Sequence, residues 1–340
     1  MKDRIRIESF SLDLRRRIRC GQARISSRGG CYLMDSDGFV SECSPLNGFS
    51  AETQEDILSS GADPRFPSAS FARSVLSRRL RPAAPETDYV YIGSGEDLDA
   101  YLKTHAGANT TETQNPAARS EDMTEELLAA QRKVESPAGA EVSDLLTESL
   151  STPAVRSANS GPSPHQGSKK IFKIKVGRLA GIRELELIDR IDRLFPDAGY
   201  ILDANMNWTF RQAEDFLGQM PAERILYAED PLPDPKDCAR LADRTGIGIG
   251  ADELLRRHGV NGIDPLTTTG WVIKPTLAGS LDRCEETAEA AAIQNGYLTV
   301  SSAYESPLGL CLLAAWARDL KRKSGIRVLQ GLDTCKIFKF

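Results

Sequence analysis

Between residues 170 and 330 one pattern recurs: a short apolar run, a charged or hydroxyl residue at its end, then a stretch with helical spacing. The runs fall at 171–176, 200–203, 225–229, 247–251, 271–274, 298–301 and 327–330, and residues 89–92 supply one more upstream. Runs of this length read as strands, and helices fill the gaps. Thr209-Phe-Arg-Gln212 opens one helix with a capping box, and residues 281–294 form another. This alternation predicts an α/β protein with a parallel sheet, and eight strands predict a (β/α)8 barrel. Two open doubly wound domains are the alternative, because the intervals between strands do not separate the two.

The residues at the run ends are Lys175, Asp203, Glu229, Asp252, Lys274 and Ser301. One alone would be an ordinary surface charge. Six in the same relative place are harder to explain by solvation, because the C-terminal strand ends of a parallel barrel converge on one mouth. Three carboxylates gathered there repel, and one neutralises by raising its pKa unless a cation intervenes. All-oxygen ligation favours Mg²⁺ or Mn²⁺ over zinc, and leaves positions for a substrate carboxylate and water. The two lysines then flank that substrate. Beside a cation and partly desolvated, a lysine can fall from about 10.4 toward roughly 7–8 and act as a base. The set suits removal of a proton next to a carboxylate, with the metal stabilising the ene-diolate.

Residues 1–85 read as a separate α+β domain. Ile5-Arg-Ile-Glu-Ser-Phe-Ser-Leu alternates at period two, Asp37-Gly38 separates two apolar runs as a hairpin turn does, and a helical pattern begins at Ser50. Residues 86–104 hold the first barrel strand and the start of its helix. Residues 105–168 are rich in Ala, Ser, Thr, Asn, Gly and Pro and contain no aromatic residue. They are expected to form a mobile, low-complexity insertion with at most short helices, for example at 124–133. Residues 169–340 complete the barrel.

With 43 Lys+Arg against 48 Asp+Glu, the chain carries a net charge of −5. That argues against a non-specific nucleic-acid binder and against a polybasic membrane anchor. No run is apolar enough for a spanning helix or a signal peptide. The seven scattered cysteines read as reduced thiols, so a cytoplasmic location is expected. The three lone histidines do not make a zinc site. Gly93-Ser-Gly95 lacks the lysine of a phosphate loop, and Ser301-Ser302 has no histidine partner for hydrolysis. The expected partner is a small carboxylate substrate, and the residues specify no oligomeric state.

Lys173-Ile-Lys175, Asp203-Ala-Asn205, Glu229-Asp-Pro231, Asp252-Glu253 and Val272-Ile-Lys274-Pro resemble the enolase superfamily. Ser301-Ser302-Ala-Tyr-Glu305-Ser-Pro-Leu-Gly309 and Gly331-Leu-Asp-Thr334 are narrower, and resemble its o-succinylbenzoate synthase family. Arg28-Gly-Gly, Gly38-Phe-Val-Ser-Glu42 and Phe66-Pro-Ser68 are similar to that family's capping domain. The resemblance implies a barrel under an N-terminal α+β cap. It also implies Mg²⁺-dependent dehydration of 2-succinyl-6-hydroxy-2,4-cyclohexadiene-1-carboxylate to 2-succinylbenzoate, in menaquinone biosynthesis. Lys175 would be the base and then the acid that helps hydroxide leave. Lys274 would hold the ene-diolate by charge, and Asp203, Glu229 and Asp252 would bind the metal. Lys173, Asn205, Ser301 and Gly331 would position substrate or metal-bound oxygens, although Lys173 could instead be a structural ion-pair partner. The alternative is racemisation of N-acylamino acids or epimerisation of dipeptides by the same two lysines. Four departures stand out: Asp230 in place of a second glutamate, Ile201 in place of an arginine found in some relatives, the insertion 105–168 where relatives have a short connection between the first and second barrel strands, and few residues after Gly331 to return to the cap.

Overall fold

The computed structural model of the protein describes residues 5–105, 128, 139–151, 170–178, 181–324 and 326–339. Three antiparallel strands open the chain: β1 (Arg6–Cys20), β2 (Ala23–Met34) and β3 (Val40–Cys43), in that order across the sheet. The turn between β2 and β3 is held by Asp35, whose carboxylate accepts the Asp37 and Phe39 amides, both at 2.9 Å, while Gly38 takes φ +82°. Cys31, Leu33 and Cys43 bury one face against Ile57 of α1 (Gln54–Ser60) and Ala69, Ala72 and Leu76 of α2 (Pro67–Ser77). The first helix starts later than the polar turn at Ser50 predicts. The Ser50 hydroxyl is taken by the Leu46 amide, and Thr53 caps the helix with Asp56 completing the box. An aspartate does there what glutamate usually does.

The barrel is a parallel sheet of eight strands among the described residues: β4 (Val90–Ile92), β5 (Ile171–Lys175), β6 (Gly199–Asp203), β7 (Ile225–Glu229), β8 (Ile249–Ala251), β9 (Thr268–Ile273), β10 (Tyr297–Ser301) and β11 (Arg327–Gly331). Neighbours in sequence are neighbours in the sheet, which overturns the two-domain alternative. The edges meet where the Asp88 amide donates to the Gln330 carbonyl at 3.0 Å and the Gln330 amide to the Asp88 carboxylate at 2.7 Å. Period-two alternation then sorts the side chains. Ile201, Tyr227, Val272 and Leu329 form an inner cluster, with the Tyr227 and Thr299 hydroxyls 2.8 Å apart. Phe172, Ile174, Tyr200, Leu202, Trp271 and Leu298 belong to the main core, together with Ile188, Phe216, Leu241 and Ala288 of the helices. The predicted capping box is in place, with Thr209 and Gln212 satisfying each other's backbone amides.

Two expectations need correction. In the supposed mobile insertion, residues 139–151 form a helix, Gly139–Ser151, with Val142, Leu146 and Leu150 buried in the main core. Apolar residues four apart make a continuous stripe on a helix, and averaging over an Ala- and Ser-rich segment hides it. The helix expected at 124–133 lies outside the described residues except for Leu128. The run after β11 does reach the cap: Phe338 pairs with Leu14, Lys339 donates its amide to the Asp13 carbonyl at 2.9 Å, and Arg15 Nε donates to the Phe338 carbonyl at 2.7 Å.

Candidate active site

Strand register brings the site together. Lys175, the last residue of β5, lies beside Asp203 at the end of β6, and Asp203 beside Glu229 at the end of β7. Asp252 and Lys274 each follow the last residue of a strand, β8 and β9. Ser301 pairs with Gly331 at the ends of β10 and β11. All nine predicted residues, Lys173, Lys175, Asp203, Asn205, Glu229, Asp252, Lys274, Ser301 and Gly331, line one cavity of about 2750 Å³, which the cap closes over with Arg16, Ile18, Leu46 and Phe49. With β5 and β9 four strands apart in a ring of eight, Lys175 and Lys274 sit across the mouth from each other.

The acids do not stand alone. Lys173 Nζ donates to both Glu229 oxygens at 2.6 and 2.7 Å and lies 3.2 Å from Asp203 Oδ2. Lys175 Nζ donates to Asp203 Oδ2 at 2.7 Å and to the Asn205 side-chain carbonyl. Lys274 is paired with Asp252. A buried carboxylate needs a counter-charge, and here each finds an ammonium. Burial raises the Asp203 carboxyl, but Lys173 and Lys175 together outweigh that and bring it to about 2. Burial also raises the Glu229 carboxyl, against the pull of Lys173. The two buried lysines differ from expectation. Burial alone lowers both, yet Glu229 and Asp203 hold Lys173, and Asp252 and Glu253 hold Lys274, above the ordinary lysine range.

Among the described residues, no three acidic, histidine or cysteine side chains converge as a ready-made metal cage. The predicted acids share the mouth but turn to lysines. Their chemistry still suits a hard cation: all donors are carboxylate oxygens, and Asp203 Oδ1 and Glu253 Oε2 are buried with no hydrogen-bond partner.

Three contributors had escaped the sequence reading. Asp230, itself buried, accepts the backbone amides of Asp252, Glu253 and Leu254 at 3.2, 2.7 and 3.2 Å, and so fixes the turn that carries Asp252. The replacement of a glutamate at this position was visible; its reach to the next strand was not. Glu253 faces Lys274 from the same turn. Tyr89 lies under the mouth, its ring centre 6.0 Å from Lys173 Nζ. Its hydroxyl comes within 1.9 Å of where a Cβ on Gly331 would lie, so that glycine is required by close approach. Lys173 is turned to Glu229 and Asp203, in the ion-pair arrangement.

The architecture is a (β/α)8 barrel under an N-terminal α+β cap, and residues 165–310 match the family described as enolase C-terminal domain-like. The chain is also similar to o-succinylbenzoate synthases. The chain is 35% identical over 177 residues to the o-succinylbenzoate synthase of Aliivibrio salmonicida (strain LFI1238), covering 50% of this chain and 52% of that one. To the o-succinylbenzoate synthase of Escherichia coli O17:K52:H18 it is 31% identical over 209 residues, covering 59% and 64%. The chain thus spans about half the length of most curated relatives it matches. Among solved structures, o-succinylbenzoate synthase from Thermosynechococcus elongatus BP-1, complexed with Mg in the active site, superposes with a TM-score of 0.64 at 17% identity, covering 99% of this chain and 94% of that one. The L-Ala-D/L-Glu epimerase from Bacillus subtilis reaches 0.65 at 16% identity, covering 100% and 92%. These likenesses establish the fold and do not choose between dehydratase and epimerase. No helix among the described residues is long and apolar enough to cross a membrane.

Proposed function

We propose that the protein is a dehydratase of the o-succinylbenzoate synthase type, acting on 2-succinyl-6-hydroxy-2,4-cyclohexadiene-1-carboxylate in menaquinone biosynthesis in the cytoplasm. The observation that carries this reading is the pair of lysines facing each other across one mouth, each next to a carboxylate. The named sequence relatives favour dehydration over epimerisation.

Asp203, Glu229 and Asp252 are the residues that would hold Mg²⁺, with Mn²⁺ as a substitute. When bound, the ion supplies positive charge beside the substrate carboxylate as its α-carbon loses a proton. The acids that would hold the ion are the ones that pair with the lysines here, Asp203 with Lys175 and Asp252 with Lys274. Lys175 then takes the α-proton and returns it to the departing hydroxide, as one group can in a syn elimination. Lys274, held cationic by Asp252 and Glu253, stabilises negative charge from the opposite side. Asn205 orients Lys175, while Ser301 and Gly331 border the substrate space. The test is dehydration of the cyclohexadiene substrate by purified protein with Mg²⁺, read as loss of one water by mass spectrometry. A product that loses no water but gains one mass unit in D2O, by exchange at its α-carbon, supports the epimerase reading instead.

A further inference from the structure

Glu305 is fully buried where cap and barrel meet, and both its oxygens are used. One accepts the Ala303 amide at 2.7 Å, and the other accepts the Thr276 hydroxyl. Thr276 lies in the short helix Pro275–Ala278, which starts directly after Lys274, and Ala303 lies two residues beyond Ser301. A single carboxylate therefore joins the segment that carries the lysine to the segment that carries the serine.

The cap grips the same point. Arg28 of β2 is buried and donates to the Pro45 and Ser44 carbonyls at 2.6 and 2.7 Å and to the Ala303 carbonyl at 3.3 Å. Its guanidinium is drawn to Glu305 and Glu42. Glu42 of β3 accepts the Ser306 and Gly309 amides, both at 2.9 Å, and so caps the barrel helix Pro307–Ser324 from the other domain. A Cβ on Gly309 would come within 2.8 Å of that carboxylate. On the far side α2 packs against Pro275–Ala278, and Ser74 Oγ accepts the Leu281 amide at 3.0 Å. Buried charges spent on specific backbone groups are a costly way to gain stability alone, since apolar packing serves at least as well. They are an effective way to fix a position.

We propose that Glu305 is a positioning residue for Lys274: through Thr276 it holds the helix that begins at the lysine, and through Ala303 and Arg28 it ties that helix to the cap. The cap thereby forms part of the frame that aims Lys274. This deepens the dehydratase reading and rests on it for the role of the lysine. Displacing a charged group by about 1 Å can cost on the order of 100-fold in rate, so the bridge matters even though Glu305 does not line the cavity.

Thr276→Val tests the bridge, because it keeps the volume of the side chain and removes only the hydroxyl that Glu305 accepts. The expected result is a kcat for Mg²⁺-dependent dehydration lowered on the order of 10- to 100-fold with KM nearly unchanged. Amide exchange in 275–279 should rise, and Thr276→Ser should restore both. An unchanged kcat in the valine variant, or equal losses in valine and serine variants, overturns the proposal. Exchange needs no substrate, so the two readings separate. If wild-type protein fails to dehydrate yet exchange rises in valine and recovers in serine, the bridge stands and the dehydratase reading falls. If wild-type protein dehydrates and exchange in 275–279 is the same in all three, the bridge is wrong. Glu305→Ala is the harsher companion; should it fail to fold, the threonine pair still decides.

Discussion

The barrel mouth and the cap–barrel boundary both bury carboxylates, and they treat them oppositely. At the boundary, Glu42 and Glu305 spend both oxygens on backbone amides and hydroxyls, which cannot change charge or swing away. At the mouth, Asp203, Glu229 and Asp252 bond to lysine ammoniums, and Asp203 Oδ1 and Glu253 Oε2 are left without a partner. Fully satisfied polar networks fix a structure, whereas partly satisfied ones can change partners. The contrast separates a frame from a working site: changes at the mouth should cost turnover alone, and changes at the boundary should cost stability, with turnover lost only where the frame no longer aims Lys274.

The sharpest break of that contrast lies at Lys175. Lys175→Arg keeps the charge beside Asp203 but cannot deprotonate near neutral pH, so turnover should fall on the order of 1000-fold or more. Its urea midpoint should stay near the wild-type value; a large drop would make Lys175 a structural residue. Lys274→Ala should lose on the order of 100- to 1000-fold, as removal of an oxyanion stabiliser does. Lys274→Arg should fall less, because dehydration needs only its charge. Equal inactivity of both arginine variants would point to two proton-transferring lysines and hence to epimerisation.

At the boundary, Glu42→Ala leaves the Ser306 and Gly309 amides buried without an acceptor and should cost about 2–5 kcal/mol in chemical denaturation. A cost below about 1 kcal/mol would remove the distinction between frame and site. Leu146→Ala, in the helix Gly139–Ser151, removes a fully buried core side chain and should cost about 2–4 kcal/mol in chemical denaturation. The smallest effect concerns acid. Asp203 titrates near 2 when folded against about 3.9 unfolded, so its stabilising contribution is complete above roughly pH 5 and is lost as pH falls toward 2. Asp203→Asn should therefore lose less stability than wild type between pH 5 and pH 3, and an equal loss would show that the acid is not held by the lysines.

Much of the barrel was legible because strand length and period two are local signals. Lys175, Asp203 and Glu229 could be aligned as strand ends before their register was known, and Thr209 could be read as a cap. The boundary was not legible in the same way. Arg28, Glu42 and Glu305 meet from different parts of the chain, and isolated charges carry no periodicity to announce burial. Thr53 was missed because its partner is an aspartate. Val142, Leu146 and Leu150 were missed because the composition of their surroundings outweighed their spacing. At the mouth, the residues were found but their pairing was not: three acids predicted to share a cation are turned to three lysines, and Glu229 reaches past β6 to Lys173 on β5.

Whether those pairs give way to a metal and a substrate is decided by one reaction. Wild-type protein, with Mg²⁺ and with EDTA, and Lys175→Arg with Mg²⁺ are each incubated with the cyclohexadiene substrate, and the product is weighed by mass spectrometry. Loss of one water with Mg²⁺, abolished by EDTA and by Lys175→Arg, is the expected result. Full-rate turnover in EDTA, or a product that keeps its water and is one mass unit heavier when formed in D2O, would contradict a metal-dependent dehydratase at this mouth.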